Sequence, residues 1–376
     1  MTVNMKYTRS NRSRLLINAA RIGDVGGLRA FTEALTRCIE DYPGVSVVVP
    51  SGVTLRVNIK QEEVPSWLAS STRVSPLRPI LWGLYSLIDL RTMRAERILA
   101  STHHVLPLHK QQIVTVHDVR PYYYPDNPVQ AFYWRTFLPK ALKKCNGILT
   151  VSETSKGLLS KVYGINPERI HVVPNVVDTT YFFPARRTAS TCKPFLLTVG
   201  SSWKHKNITE LLEMHRCWIS KYQLKIVAGE GQYSELLRQL AMKLRITDHV
   251  QFLSGVPLDE LRTLYQKCEA LVFPSLIEGF GLPPLEAMAC GRPVIVSDTQ
   301  LSHELYGDIP LFVRLRSAES WCAAFDALPY YSQERIDRGI SVAQSYSPQR
   351  MRYALQVALA KIWGIGIQEK SAISHS

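Results

Sequence analysis

Apolar residues along this chain fall into short runs separated by stretches with helical spacing. Residues 14–20 (Arg-Leu-Leu-Ile-Asn-Ala-Ala) and 45–49 are strand-sized apolar runs. Between them Leu28, Phe31, Ala34, Leu35, Cys38 and Ile39 share one face of a helix predicted from Leu28 to about Glu40. Residues 75–96 carry Leu77, Ile80, Leu81, Leu84, Leu87 and Ile88 at helical spacing. Strands recur at 98–100, 112–116 and 147–151, with a helix near 132–144. The second half repeats the alternation more cleanly. Its predicted strands are 195–199, 224–228, 250–253, 270–273 and 294–296, and its predicted helices 208–219, 234–244, 258–266 and 284–289. A last helix, 348–363, is opened by Ser347 as N-cap with Pro348 in its first turn. Strands alternating with helices, with few hairpin turns, predict α/β architecture with parallel sheets. Residues 181–194 are polar, basic and bounded by prolines, which places a linker there. Two consecutive α/β domains are expected, 1–183 and 184–347, with a cleft between them. Ligands of such folds sit beyond the carboxyl ends of the strands, so the loops after strands are where chemistry is sought.

At 376 residues the chain has room for two or three domains. With 46% hydrophobic and 20% charged residues it is neither disordered nor collagenous. No apolar run approaches the roughly 18–20 residues of a membrane-spanning helix. The polar, basic start lacks the apolar core of a secretory signal. Seven scattered cysteines without a CxxC read as a reduced, cytoplasmic chain without a metal site. The net charge of +14 is uneven: residues 1–185 hold 23 Lys and Arg against 13 Asp and Glu. Such an excess points to an anionic partner: nucleic acid, acidic lipid head groups or a phosphorylated substrate.

The richest segment runs from Phe273 to Asp298. A strand ends at Phe273, a loop carries Glu278, Gly279 and Gly281, and Pro283 and Pro284 suit a helix start with Glu286 just inside it. Glycines let backbone amides approach an anion, and a helix N-terminus favours negative charge. Carboxylates beside such a site are more useful as acceptors for sugar hydroxyls than as phosphate contacts. The stretch from Glu278 through Glu286 to Ala-Met-Ala-Cys-Gly-Arg-Pro-Val resembles the donor motif of retaining family 4 glycosyltransferases. That resemblance implies the GT-B fold, two Rossmann-like domains facing across a cleft, with the terminal helix (348–376) packing back on the first. It implies that Glu278 contacts the hydroxyls of the transferred sugar and that Glu286 binds the nucleotide ribose. The amides around Phe280, Gly281 and Leu282 hold the diphosphate. Thr198–Asn207 resembles the family's phosphate loop. Lys206 matches its Lys, while Ser201 and His205 occupy places where members carry an Arg, and Lys204 is a candidate substitute. The resemblance makes His117, ending the strand 112–116, an active-site His oriented by Asp118, and Gly26-Gly27 the glycine turn near the donor phosphate. Residues 148–153 and 170–178 are further family-like fold markers.

The same resemblance implies an enzyme: a retaining hexosyltransferase that moves a sugar from a nucleoside-diphosphate donor, with GDP-mannose the leading candidate. Its acceptor is a glycan or a polyprenyl-diphosphate-linked saccharide of a surface polysaccharide. No Asp-x-Asp is present, and Lys206 with helix-end amides can neutralise a diphosphate, so no metal or other cofactor is expected. A sugar-nucleotide epimerase of the same fold is the alternative. A nucleic-acid-binding protein is suggested by charge alone, and no nucleic-acid partner is expected. In 77–97, Trp82, Tyr85, Leu81, Leu84 and Ile88 form an apolar side beside Arg78, Arg91, Arg94 and Arg97. That side is either core or a face for an anionic membrane, the latter fitting peripheral attachment to the inner membrane surface.

Overall fold

A computed structural model describes residues 15–23, 26–65, 78–185 and 193–364. The chain divides into two compact units: Met1–Val176 together with Pro348–Ser376, and Val177–Ser347. The division falls just upstream of the stretch expected as a linker, of which residues 186–192 lie outside the described residues.

The first unit is built on a seven-stranded parallel sheet. Its strands are β1 (Leu15–Asn18), β2 (Ser46–Pro50), β3 (Lys60–Val64), β4 (Arg97–Ala100), β5 (Gln112–Thr115), β6 (Gly147–Thr150) and β7 (Ile170–Val172), in the order β3-β2-β1-β4-β5-β6-β7. β1, β5 and β6 are buried along their whole length, as expected of parallel strands covered on both faces. β3 (Lys-Gln-Glu-Glu-Val) is an edge strand with one buried residue, and its charge conceals it from hydrophobic pattern reading.

The segment expected as one long helix is two. Arg78–Tyr85 ends, and Leu90–Arg94 restarts with Asp89 accepting from the Arg91 amide at 3.0 Å as its cap. Trp82 is 1% exposed and packs with Leu16, Val48 and Ile98 in the core. It is therefore not a lipid-facing residue. Arg91 is also engaged, paired with Asp89 at 2.8 Å, and Arg97 belongs to β4. Leu77 and the side chains of Arg78 and Ile80 lie outside the described residues.

The helix Pro348–Trp363 belongs to this first unit. Arg352 donates to the Arg37 carbonyl at 3.2 Å, and the Arg97 guanidinium sits 5.8 Å from the centre of the Trp363 ring. Ile362 lies so close to Gly147 that any side chain there would overlap it, so glycine at the start of β6 is what admits the helix.

The second unit has a six-stranded parallel sheet. Its strands are β8 (Phe195–Val199), β9 (Gln223–Val227), β10 (Val250–Leu253), β11 (Ala270–Phe273), β12 (Val294–Ser297) and β13 (Leu311–Val313), in the order β10-β9-β8-β11-β12-β13. Trp218, Trp321 and Phe325 are fully buried against Leu211, Leu224 and Val313.

Within this core Glu210 is buried but fully partnered. It accepts from the side-chain amide of Asn207 (2.7 Å), the Trp321 indole (2.9 Å) and the Arg316 amide (2.5 Å). These bonds hold Asn207 in a left-handed conformation at the end of the loop carrying Lys206. Cys217 and Cys322 form a disulfide, which corrects the expectation of a fully reduced chain. The two are 105 residues apart, a spacing with no local signal. Cys38, Cys145, Cys268 and Cys290 are free and buried. Among the described residues no helix is long and apolar enough to cross a membrane.

Candidate active site

Both sheets reverse strand order once, and in open α/β sheets ligands gather at such points. In the first sheet the reversal lies between β1 and β4, in the second between β8 and β11. Within each unit the candidate residues lie beyond the carboxyl ends of strands at or beside its own reversal: after β1 and β5 in the first, after β8 and β11 in the second.

In the second unit the loops after β8 and β11 meet. The Leu276 amide donates to the His205 carbonyl at 2.8 Å and ties the two loops together. Lys206 Nζ lies 2.7 Å from Glu278 Oε1 and 4.7 Å from the centre of the Phe273 ring, and His205 Nε2 is 4.0 Å from the same carboxylate. Burial alone would raise the Glu278 pKa. The Lys206 charge, with His205 and the Lys206 hydrogen bond, holds it below the ordinary carboxylate value. Glu278 therefore stays ionised.

The helix Leu282–Ala289 begins at Gly281, which has a φ of 93°. Pro283 and Pro284 carry no amide hydrogen, so the donors at this helix end are those of Phe280, Gly281 and Leu282 and the amides that follow the prolines. The Tyr306 hydroxyl donates to the Gly281 carbonyl at 2.8 Å and fixes the turn from behind. A Cβ on Gly281 would overlap that hydroxyl. Gly281→Ala is accordingly expected to cost about 2–3 kcal/mol, from the left-handed backbone and the displaced tyrosine together. Urea melts would read the loss, and adding Tyr306→Phe should recover part of it. A Gly281→Ala protein as stable as the wild type would contradict this account of the turn.

Glu286 lies one turn further along. The buried Tyr265 hydroxyl donates to its Oε2 at 2.6 Å. Burial pushes the Glu286 pKa up to about 7, and the tyrosine hydrogen bond restrains it only in part. The two glutamates of the motif thus have opposite environments: one is paired with a cation, the other with a neutral hydroxyl.

In the first unit, His117 follows β5. Its Nε2 is 2.9 Å from the Ser101 carbonyl, and Phe31 meets the ring edge-on at 4.5 Å. A carbonyl only accepts, so Nε2 carries the proton and Nδ1 is left as an acceptor. Burial lowers the His117 pKa to about 4, against the upward pull of the Ser101 carbonyl, so the ring is neutral. The expectation that Asp118 orients this ring is corrected. Its Oδ1 instead accepts from the Arg120 amide at 2.7 Å, and the Ser101 carbonyl takes the orienting role.

Gly26 (φ 101°) caps the helix Gly27–Cys38 after β1, while Asp24 and Val25 lie outside the described residues. Ser201, a candidate for the phosphate site, has no exposed surface and bonds Thr198 at 3.1 Å. It is a strand-end packing residue. Lys204 is exposed in the same loop. Sequence reasoning missed Tyr265, Tyr306 and the neighbours His103 and His104. These two imidazoles stack at 4.2 Å beyond β4, and burial depresses both pKa values. The tyrosines stand in ordinary helical patterns without a local signal.

The family model for Glycosyl transferases group 1 matches residues 183–309, and that for Glycosyltransferase Family 4 matches residues 42–181. The O-antigen chain mannosyltransferase RfbU of Salmonella typhimurium strain LT2 is 35% identical over 319 residues, covering 82% of this chain and 89% of that protein. The chain belongs to glycosyltransferase family 4. Solved structures agree on the architecture of this glycosyltransferase. Sucrose-phosphate synthase from Thermosynechococcus elongatus superposes with a TM-score of 0.77 at 17% identity, covering 93% of this chain and 99% of that one. Anabaena HepE in complex with UDP and glucose gives 0.69 at 15% identity, covering 92% and 99%. The glycosyltransferase has the GT-B fold.

Proposed function

We propose that this enzyme is a retaining hexosyltransferase using a nucleoside-diphosphate sugar, with mannose from GDP-mannose as the leading donor. Its acceptor is a glycan or a polyprenyl-diphosphate-linked saccharide in surface polysaccharide assembly, met at an anionic membrane face. The observation that carries the reading is the Lys206–Glu278 pair on two loops tied at one switch point, beside the Gly281 helix start. The O-antigen mannosyltransferase relative supports mannose and the polysaccharide setting, and the UDP-bound structural neighbour supports a nucleotide donor.

In this reading the diphosphate lies against Lys206 and the amides of Phe280, Gly281 and Leu282. As the bond to the anomeric carbon breaks, negative charge grows on the departing phosphate, and the acceptor hydroxyl bonds to that carbon from the same face and gives its proton to the phosphate. A fixed ammonium and oriented amides stabilise it without reorganisation. Glu278, kept ionised, accepts from hydroxyls of the transferred sugar. Glu286 accepts from the ribose. His117 offers a neutral ring whose Nδ1 accepts a hydrogen bond from a hydroxyl of the sugar. Lys206 and the amides provide the positive field, so no divalent ion is required.

Thermal-shift titrations with GDP, UDP, dTDP and ADP, each with and without EDTA, test this. GDP at about 100 times its Kd should add roughly 2.7 kcal/mol of stability, a shift of several degrees, unchanged by EDTA. Stabilisation by UDP alone would overturn the mannose assignment, and loss with EDTA the metal-independence. No shift with any of them at millimolar concentration would overturn the donor site.

A further inference from the structure

After β5 the chain runs through the helix Pro128–Phe132, a π-turn Tyr133–Phe137 and the helix Leu138–Leu142. One side is buried: Trp134, Leu138, Ala141 and Leu142, with Cys145 just beyond. The other side is unusual for a solvated face. Phe132 is 65% and Phe137 50% exposed, with Val129 beside them in sequence at 40%. Residues five apart on an α-helix point about 140° apart. The wider π-turn between Phe132 and Phe137 brings them towards one side.

Basic residues are exposed along the same segment. Arg135, Lys140, Lys143 and Lys144 are all exposed. From Asn127 to Ser152 the sequence contains no Asp or Glu at all. None of the three lysines pairs with a carboxylate among the described residues. The Arg135 guanidinium is anchored on the Tyr122 carbonyl at 2.8 Å and held over the Tyr122 ring.

Another exposed apolar patch among the described residues of this unit, around Leu84 and Ile88 with Arg94 nearby in sequence, mixes acids with its bases. Asp89 holds Arg91 there, and Glu63 lines the adjacent groove.

We propose that the outer face of residues 128–144 is a docking surface for an anionic lipid bilayer, with Phe132 and Phe137 entering the interface and Lys140, Lys143 and Lys144 resting on the head groups. Exposed aromatics cost little once inserted among acyl chains, and lysines near an anionic surface each contribute favourable energy. A nucleic acid would match the lysines but would leave the phenylalanines unexplained. The segment leaves β5 just after His117, so docking would hold that strand end close to a lipid-borne acceptor. Such an acceptor rests on the proposed function above, whereas the docking face stands on its own residues.

The test is flotation of the full chain with phosphatidylcholine vesicles and with vesicles containing 30% phosphatidylglycerol. Binding is expected only to the anionic vesicles and to weaken with salt. Lys140→Gln/Lys143→Gln/Lys144→Gln should weaken it on the order of 100-fold, and Phe132→Ser/Phe137→Ser about tenfold. A control, Leu84→Ser/Ile88→Ser, should bind as the wild type does. All these side chains are exposed, so nucleotide-induced thermal shifts should persist in every variant. That readout separates failure of this surface from failure of the donor site. Wild type that ignores anionic vesicles, or variants that bind unchanged, would overturn the proposal. So would sedimentation showing that the phenylalanine variant dissociates a dimer, or RNA binding lost in parallel with no lipid binding.

Discussion

Replacing Lys206 by methionine should lower kcat about 10²- to 10³-fold, the usual cost of one oriented donor to a developing anion. The same change should destabilise the fold, because Glu278 would be left buried without its cation. Removing one partner of such a pair costs about 3 kcal/mol. The pH dependence separates the two effects. In the wild type the folded pKa of Glu278 is depressed. Its stabilising contribution is therefore present above the unfolded pKa and lost as pH falls through the folded one. Without Lys206 the burial that opposes ionisation is countered only by the weaker pull of His205 and Ser275, so the folded pKa rises. The variant's carboxyl then stabilises below the unfolded pKa, and that contribution fades as pH climbs. Urea melts at pH 4, 5 and 7 should show the gap between wild type and variant widening with pH. The double variant Lys206→Met/Glu278→Gln should regain most of the stability and none of the turnover. A single variant with near-normal kcat would remove Lys206 from the reaction.

Donor affinity should strengthen as pH rises through about 7, because the ribose contact proposed for Glu286 is best made by the ionised carboxylate and its pKa is lifted to about 7. An intact sugar nucleotide is the ligand to use, since its diphosphate does not titrate in this range. Well below pH 7 its Kd should weaken about tenfold per unit. Near pH 6, calorimetry in two buffers should detect close to one proton released on binding. Tyr265→Phe removes the hydrogen bond that restrains Glu286 and should move the curve to higher pH, while Glu286→Gln should flatten it. The other titratable groups facing Glu286 stay outside the window: Tyr265 lies well above 10, and burial pushes Cys290 up to about 12. A flat affinity profile in the wild type would exclude Glu286 from the ribose site.

Much of this enzyme is readable from its residues, and the failures share a cause. Apolar runs predict the buried strands because parallel strands are hydrophobic on both faces. The edge strand β3 escapes because its residues are charged. Trp82 and the arginines around it match both a core helix and a surface helix, since periodicity shows that a face is apolar but not what covers it. The Glu278–Glu286 spacing and Lys206 are visible as a motif. Their pairings are not: Lys206 meets Glu278 across 72 residues and Tyr265 meets Glu286 across 21. Asp118 misleads because adjacency in sequence suggests a contact that a tight turn prevents.

The return of the helix Pro348–Trp363 to the first unit has a consequence on the ribosome. The second unit is inserted in the first as one continuous segment, and near its ends the Val177 amide donates to the Tyr346 carbonyl at 2.9 Å. As the nascent chain emerges, the second unit can close once its own last residue has left the ribosome. The first cannot, because the helix seated on Gly147 is translated only after the whole second unit. At roughly 5–20 residues per second, the β6 surface waits tens of seconds at the slower rate. Chaperone demand during synthesis should therefore centre on the unit whose translation begins first and whose assembly ends last.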